Sequence, residues 1–218
     1  MNKRMIAALL GAALLSGCVT AGSDRQVAAR GGPGSEQEAE LYLSVIQSLH
    51  EQGKSQAALA FLDDYNRRYP NDYRAWVMRG EALLEAGRVD DAEQVFLAIQ
   101  NEPVGAAAQL GLGQVSASRG DWNMAVAHLA EATRLAPTSA RVLNNYGYAL
   151  LKLDRTDEAR RILGRAAELA PGNDQVRNNL LLATYRDGDE AAAIQAVGAV
   201  DDPDERQRLM EFVTGWAP

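Results

Sequence analysis

The chain has 218 residues, 47% of them apolar and 23% charged, an ordinary globular composition with ample material for a packed core. Its formal charge is −7, and removing a leader that carries Lys3 and Arg4 leaves 20 basic against 29 acidic side chains, or −9. That balance excludes the basic surface that releases counterions from nucleic acid, and a single cysteine, Cys18, excludes a disulfide framework within the monomer.

Lys3 and Arg4 precede the apolar run Met5 to Leu15, the pattern of a secretory signal over residues 1–17. Eleven apolar residues are too few to cross a bilayer core as a helix, which takes about 20. The segment ends Leu15-Ser16-Gly17-Cys18, which resembles the bacterial lipobox, where small residues admit the peptidase just before the cysteine. The resemblance implies a covalent lipid on Cys18 and no other cofactor. At about 0.8 kcal/mol per buried CH₂, several acyl chains anchor a protein lastingly. Residue 19 is Val and not the Asp that retains such lipoproteins in the inner membrane, so the expected location is the periplasmic face of the outer membrane. Residues 18–35, with Gly22, Gly31, Gly32, Pro33 and Gly34 and no apolar period, read as the lipidated cysteine and a flexible tether reaching roughly 20–25 Å.

From residue 36 the chain repeats. Prolines stand at 70, 103, 137 and 171, and alanines at 58, 92, 125, 159 and 193, each series at intervals of 33 or 34. A large apolar residue follows each alanine by four places, at Leu62, Phe96, Leu129, Leu163 and Val197. Gly80, Gly113 and Gly147 keep the same register, as do Gly53, Gly87, Gly120 and Gly188 at the midpoint, with Asp154 in the fourth unit. This pattern resembles the tetratricopeptide repeat (TPR), with units 39–72, 73–105, 106–139, 140–173 and 174–207. The expected fold class is all-α: a right-handed superhelical stack of about five helix-turn-helix repeats, with a capping helix in 204–218.

Each unit should be two antiparallel helices. Over 156–169, Ala159, Ile162, Leu163, Ala166 and Leu169 define one apolar face, Asp157 and Glu158 favour the helix start, and Pro171 prevents continuation. The midpoint glycines suit a left-handed turn. The Gly80/Ala92, Gly113/Ala125 and Gly147/Ala159 pairs lack bulk where two helices should cross, while Ile46 and Leu181 take the glycine place in the first and last units.

No catalytic constellation emerges. His50 and His128 lie in different repeats without metal-ligand spacing, and each reads as a helix-face histidine. The pairs Asp63-Asp64, Asp90-Asp91 and Asp201-Asp202 read as solvated or capping groups. Gly111-Leu112-Gly113 lacks the third glycine and the preceding strand of a dinucleotide loop, Ser116 standing in that glycine's place.

A stack of this kind implies a concave groove lined by positions two, five, six, nine, twelve and thirteen of each unit. Repeat four contributes Arg141, Asn144, Asn145, Tyr148 and Lys152, and repeat five contributes Gln175, Asn178, Asn179, Tyr185 and Arg186. Repeats two and three offer Arg74, Met78, Leu110 and Gln114. The paired asparagines recur 34 residues apart, and a weak helix former has no stability reason to recur there. An Asn amide both donates and accepts, so each could hold one peptide unit of an extended protein ligand.

The stretches Asn144-Asn145-Tyr146-Gly147-Tyr148-Ala149-Leu150-Leu151 and Val176-Arg177-Asn178-Asn179-Leu180 are similar to segments of TadD, the assembly lipoprotein family of the tight-adherence (Flp) pilus. That resemblance implies a non-enzymatic, pilotin-like role, with a secretin or another pilus or secretion component as partner and no nucleic acid. The equivalent lipoproteins of type IV pili (PilF/PilW) and envelope adaptors that dock cell-wall hydrolases or proteases are the alternatives.

Overall fold

The computed structural model describes residues 36–215, and among them it has eleven α-helices and no strand. In chain order these are α1 (Glu36–Glu51), α2 (Ser55–Arg68), α3 (Tyr73–Glu85), α4 (Val89–Ile99), α5 (Gly105–Ser118), α6 (Trp122–Leu135), α7 (Ala140–Lys152), α8 (Thr156–Leu169), α9 (Asp174–Arg186), α10 (Glu190–Gly198) and α11 (Pro203–Gly215). The expected signal segment and tether, with Cys18 between them, and Trp216 lie outside the described residues. Among the described residues no helix is long and apolar enough to cross a membrane.

Local chemistry sets the helix ends. At the midpoint turns φ is positive at Gly53, Gly87, Gly120 and Gly188, and Asp154 takes the same left-handed conformation at φ 57°. Asp tolerates that region better than most side chains, which explains how the fourth unit keeps its turn without glycine. Asp72, Asp121, Ser139, Asn173 and Asp189 each accept a hydrogen bond from a first-turn N–H of the helix that follows. Such caps contribute about 1 kcal/mol each. Pro70, Pro137 and Pro171 stand just past the ends of α2, α6 and α8.

Packing follows the 34-residue register. Ala58, Ala92, Ala125, Ala159 and Ala193 are completely buried, and Leu62, Phe96, Leu129, Leu163 and Val197 are buried beside them. A Cβ added to Gly147 would come within 2.4 Å of Leu163 Cγ, and one on Gly113 within 2.6 Å of Leu129 Cγ. These glycines therefore let the two helices of a unit close on the large residue of the second. Leu169, assigned above to the apolar face of α8, is instead 46% exposed. At 100° per residue it lies about 120° around the helix from Leu163, off the buried stripe.

Each helix packs on its chain neighbours, and each first helix also packs on the next first helix, α1 on α3, α3 on α5, α5 on α7 and α7 on α9. The second helices make no such contact with one another. The stack therefore curves, with the first helices on its inner side and the second helices splayed outside. α11 packs against both α9 and α10, where the first helix of a further unit would sit, and its Leu209 and Val213 cover Leu181 and Val197.

The junction of the first two units shows a buried polar anchor. Tyr65 is fully buried and donates from its hydroxyl to Asp72 Oδ2 at 2.7 Å. Burial and the neighbouring carboxylate push the Tyr65 phenol well above its usual value, while hydrogen bonds from Arg74, and then from Tyr65, hold Asp72 below the ordinary carboxylate range. A stronger acid in the folded chain than in the unfolded one stabilises the fold in full above the ordinary carboxylate range. That contribution is lost as pH falls through the lower folded value. Asp72→Asn should accordingly be less stable than wild type at neutral pH, with the gap narrowing as pH falls through and below the ordinary carboxylate range, as read by urea denaturation across pH.

Candidate partner-binding face

The inner face is built from the first helices, and three cross-helix contacts map it. Arg74 Nη1 on α3 reaches Glu40 on α1 at 2.7 Å, Arg141 Nη2 on α7 reaches Glu81 on α3 at 2.5 Å, and Asn179 Nδ2 on α9 donates to Asn144 Oδ1 on α7 at 2.9 Å. The second of these spans a whole repeat. The intervening α5 has only the small Ala107 and Ala117 and the longer Gln114 half-buried at its inner positions.

The asparagines divide into two kinds. Asn144 and Asn179 are buried, at 4% and 6% exposure, and they bond to each other. Their recurrence thus has a packing reason, and the expectation that each lies open to hold a peptide unit is corrected: they tie α7 to α9. Asn145 and Asn178 are half-buried. Asn145 Nδ2 donates to the Arg141 carbonyl one turn back at 2.9 Å, and Asn178 Oδ1 accepts from Arg177 Nε at 3.3 Å.

Arg141 and Gln175 are exposed, and Tyr148, Lys152 and Arg186 are half-buried. Tyr148 meets the Trp122 ring edge-on at 5.9 Å, and Lys152 Nζ lies 5.6 Å from the centre of the same ring. Trp122 starts α6, a second helix, so a rule restricted to first helices missed it. Cation–π and edge contacts of this kind contribute about 0.5–1 kcal/mol where exposed. Tyr185 is not open either. It packs with Leu181, Val197, Leu209 and Val213 at the cap. Arg186 pairs with Asp154 at 2.8 Å. Leu110 is buried, and Met78 packs on the core beneath the face.

Beyond α9 the face ends in an open cavity of about 520 Å³ between α9 and α11, lined by Asp174, Arg177, Asn178, Glu205, Leu209 and Phe212. Arg177 is paired there with both Asp174 and Glu205.

The histidines take no part in a catalytic array. His50 Nδ1 lies 3.2 Å from Glu85, and His128 Nδ1 lies 2.8 Å from Gln109 Oε1, with burial lowering its pKa. Among the described residues no group of His, Cys, Asp and Glu could hold a metal ion. The paired aspartates serve as ion-pair partners and caps: Asp64 holds Arg67, Arg68 and the Tyr42 hydroxyl, Asp63 holds Arg79, Asp90 holds Arg119 and Asp91 holds Arg88, and Asp202 accepts from the N–H of Asp204.

Comparison with known proteins agrees with this architecture. Residues 46–102 and 116–183 match the tetratricopeptide repeat. The chain is 32% identical over 198 residues to the TPR repeat-containing protein PA4299 of Pseudomonas aeruginosa, across 88% of this chain and 76% of that one. The crystal structure of TTC0263, a thermophilic TPR protein of Thermus thermophilus, superposes with a TM-score of 0.67 at 20% identity, covering 81% of this chain and 99% of that one. YrrB, described as a TPR protein with an unusual peptide-binding site, superposes with a TM-score of 0.53 at 17% identity, over 80% of this chain and 89% of its own. The chain belongs to the tetratricopeptide repeat family.

Proposed function

We propose that this chain is a non-enzymatic assembly lipoprotein, anchored through Cys18 at the periplasmic face of the outer membrane, that holds an extended segment of a secretin of the tight-adherence (Flp) pilus on its inner face. The observation that carries the reading is the lipobox Leu15-Ser16-Gly17-Cys18 joined by a short tether to a repeat stack whose first helices form one continuous surface. A membrane-tethered binding face raises the effective concentration of a membrane-inserted partner without any new contact. The similarity of Asn144 to Leu151 and of Val176 to Leu180 to TadD segments supports the pilus assignment, and the peptide-binding site described for YrrB supports a peptide segment as ligand.

The test is crosslinked pull-down from intact envelopes, with wild type beside Asn145→Ala/Tyr148→Ala. Wild type is expected to recover a secretin and the double variant several-fold less. Equal recovery would remove the inner face from the reading, and recovery of wall hydrolases in place of a secretin would favour the envelope adaptor.

A further inference from the structure

The inner positions of the stack carry a charge pattern that the net charge conceals. In repeats one and two they hold Glu40, Glu51, Glu81 and Glu85 against the single cation Arg74. In repeat three they hold no charge at all, with Ala107, Leu110, Gly111, Gln114, Ala117 and Ser118. In repeats four and five they hold Arg141, Lys152 and Arg186 and no carboxylate. The face thus runs from three negative charges in excess, through a neutral floor, to three positive charges. The bridge from Arg141 to Glu81 crosses that floor and joins the two ends of opposite sign.

We propose that this gradient fixes the direction of the bound segment, whose basic portion lies on α1 and α3 and whose acidic portion lies on α7 and α9. This rests on the inner face being the binding surface. A partner carboxylate then takes Arg141 in place of Glu81, and a partner Lys or Arg takes Glu81, so both ends of the internal bridge are compensated as it opens. Complementary charge of this kind sets register and suppresses reversed binding more than it adds affinity. The uncharged, small-residue floor of α5 lets the segment's backbone approach between the two contacts. Charge repeated over several side chains in a concave surface also acts beyond contact distance, to about 8–10 Å at ordinary ionic strength.

The experiment uses two synthetic peptides of about 16 residues, long enough at roughly 3.3 Å per residue to pass from α1 to α9. One has an acidic half followed by a basic half, and the other has the halves in reverse order. Each carries a benzophenone at its acidic end, and a second pair carries it at the basic end; all are crosslinked to the full chain in detergent. For both peptide orders the acidic end is expected to mark α7 and α9, and the basic end α1 and α3. Crosslinks that follow chain direction rather than charge, or that scatter over both ends, overturn the polarity while leaving the inner face as the binding surface. No crosslink on any first helix overturns the binding surface, and the polarity with it. In Arg141→Glu/Lys152→Glu the affinity for both peptides should fall about tenfold with an unchanged helix signal. Unchanged affinity in that variant overturns the polarity.

Discussion

Phe96→Ala is expected to cost about 3–5 kcal/mol. The ring is completely buried, and glycines hold it from two helices: a Cβ on Gly80 of α3 or on Gly111 of α5 would come within 2.4 Å of it. Removing the ring leaves a hole between repeats two and three that neither glycine can fill. Conversely Gly111→Ala in the native background overpacks a ring that cannot move toward Gly80, at a cost of about 1–3 kcal/mol. The two changes should be strongly non-additive, because the alanine methyl has room once the ring is gone. Since each unit of a stack is held chiefly by its neighbours, Phe96→Ala should also uncouple the first two repeats from the rest and broaden or split the thermal transition. Chemical denaturation of the two single variants and the double variant checks this. Additive losses would show that the ring is not clamped as described.

Asn144→Leu is the second large effect expected. It removes the acceptor of Asn179 Nδ2 and leaves that amide buried at the contact of α7 and α9, a loss of about 1–3 kcal/mol. In Asn144→Leu/Asn179→Leu both polar groups are gone and the pair can pack as hydrocarbon, so much of the loss should be recovered. A double-mutant cycle in urea reads the coupling directly. Independent, additive effects at the two positions would mean that the asparagines do not act as a pair.

Both effects bear on how far the sequence can be read. The 34-residue period and the left-handed midpoint turns were legible, because each depends on a residue type repeated in register; the helix crossings were expected at glycine–alanine pairs, whereas Gly80, Gly113 and Gly147 face the large residues Phe96, Leu129 and Leu163. The helix expected over 156–169 runs Thr156–Leu169. Helical period alone misplaced Leu169, since a residue at the last turn can satisfy an i, i+3 rule while facing away from the stripe centre. The asparagines were misread for a different reason. Positions five and six border both the open face and the neighbouring first helix, and only three-dimensional contact shows that Asn144 and Asn179 turn toward each other while Asn145 does not. Gly111 likewise stood unexplained until Phe96 was seen to press on it from the preceding unit. The charge gradient was available from the register all along. It was hidden because the chain's total charge of −7 suggests a uniformly acidic surface, whereas most of the excess carboxylate sits elsewhere than on the inner face of repeats four and five.

The most direct test of the account places a photo-crosslinking amino acid at Tyr148 on the inner face, and in a second strain at Arg161 on the outer helix α8, each in the full-length chain in living cells. Secretin adducts are expected from position 148 and not from 161. Adducts of equal strength from both positions, or from 161 alone, would contradict an inner-face scaffold for a membrane-inserted partner.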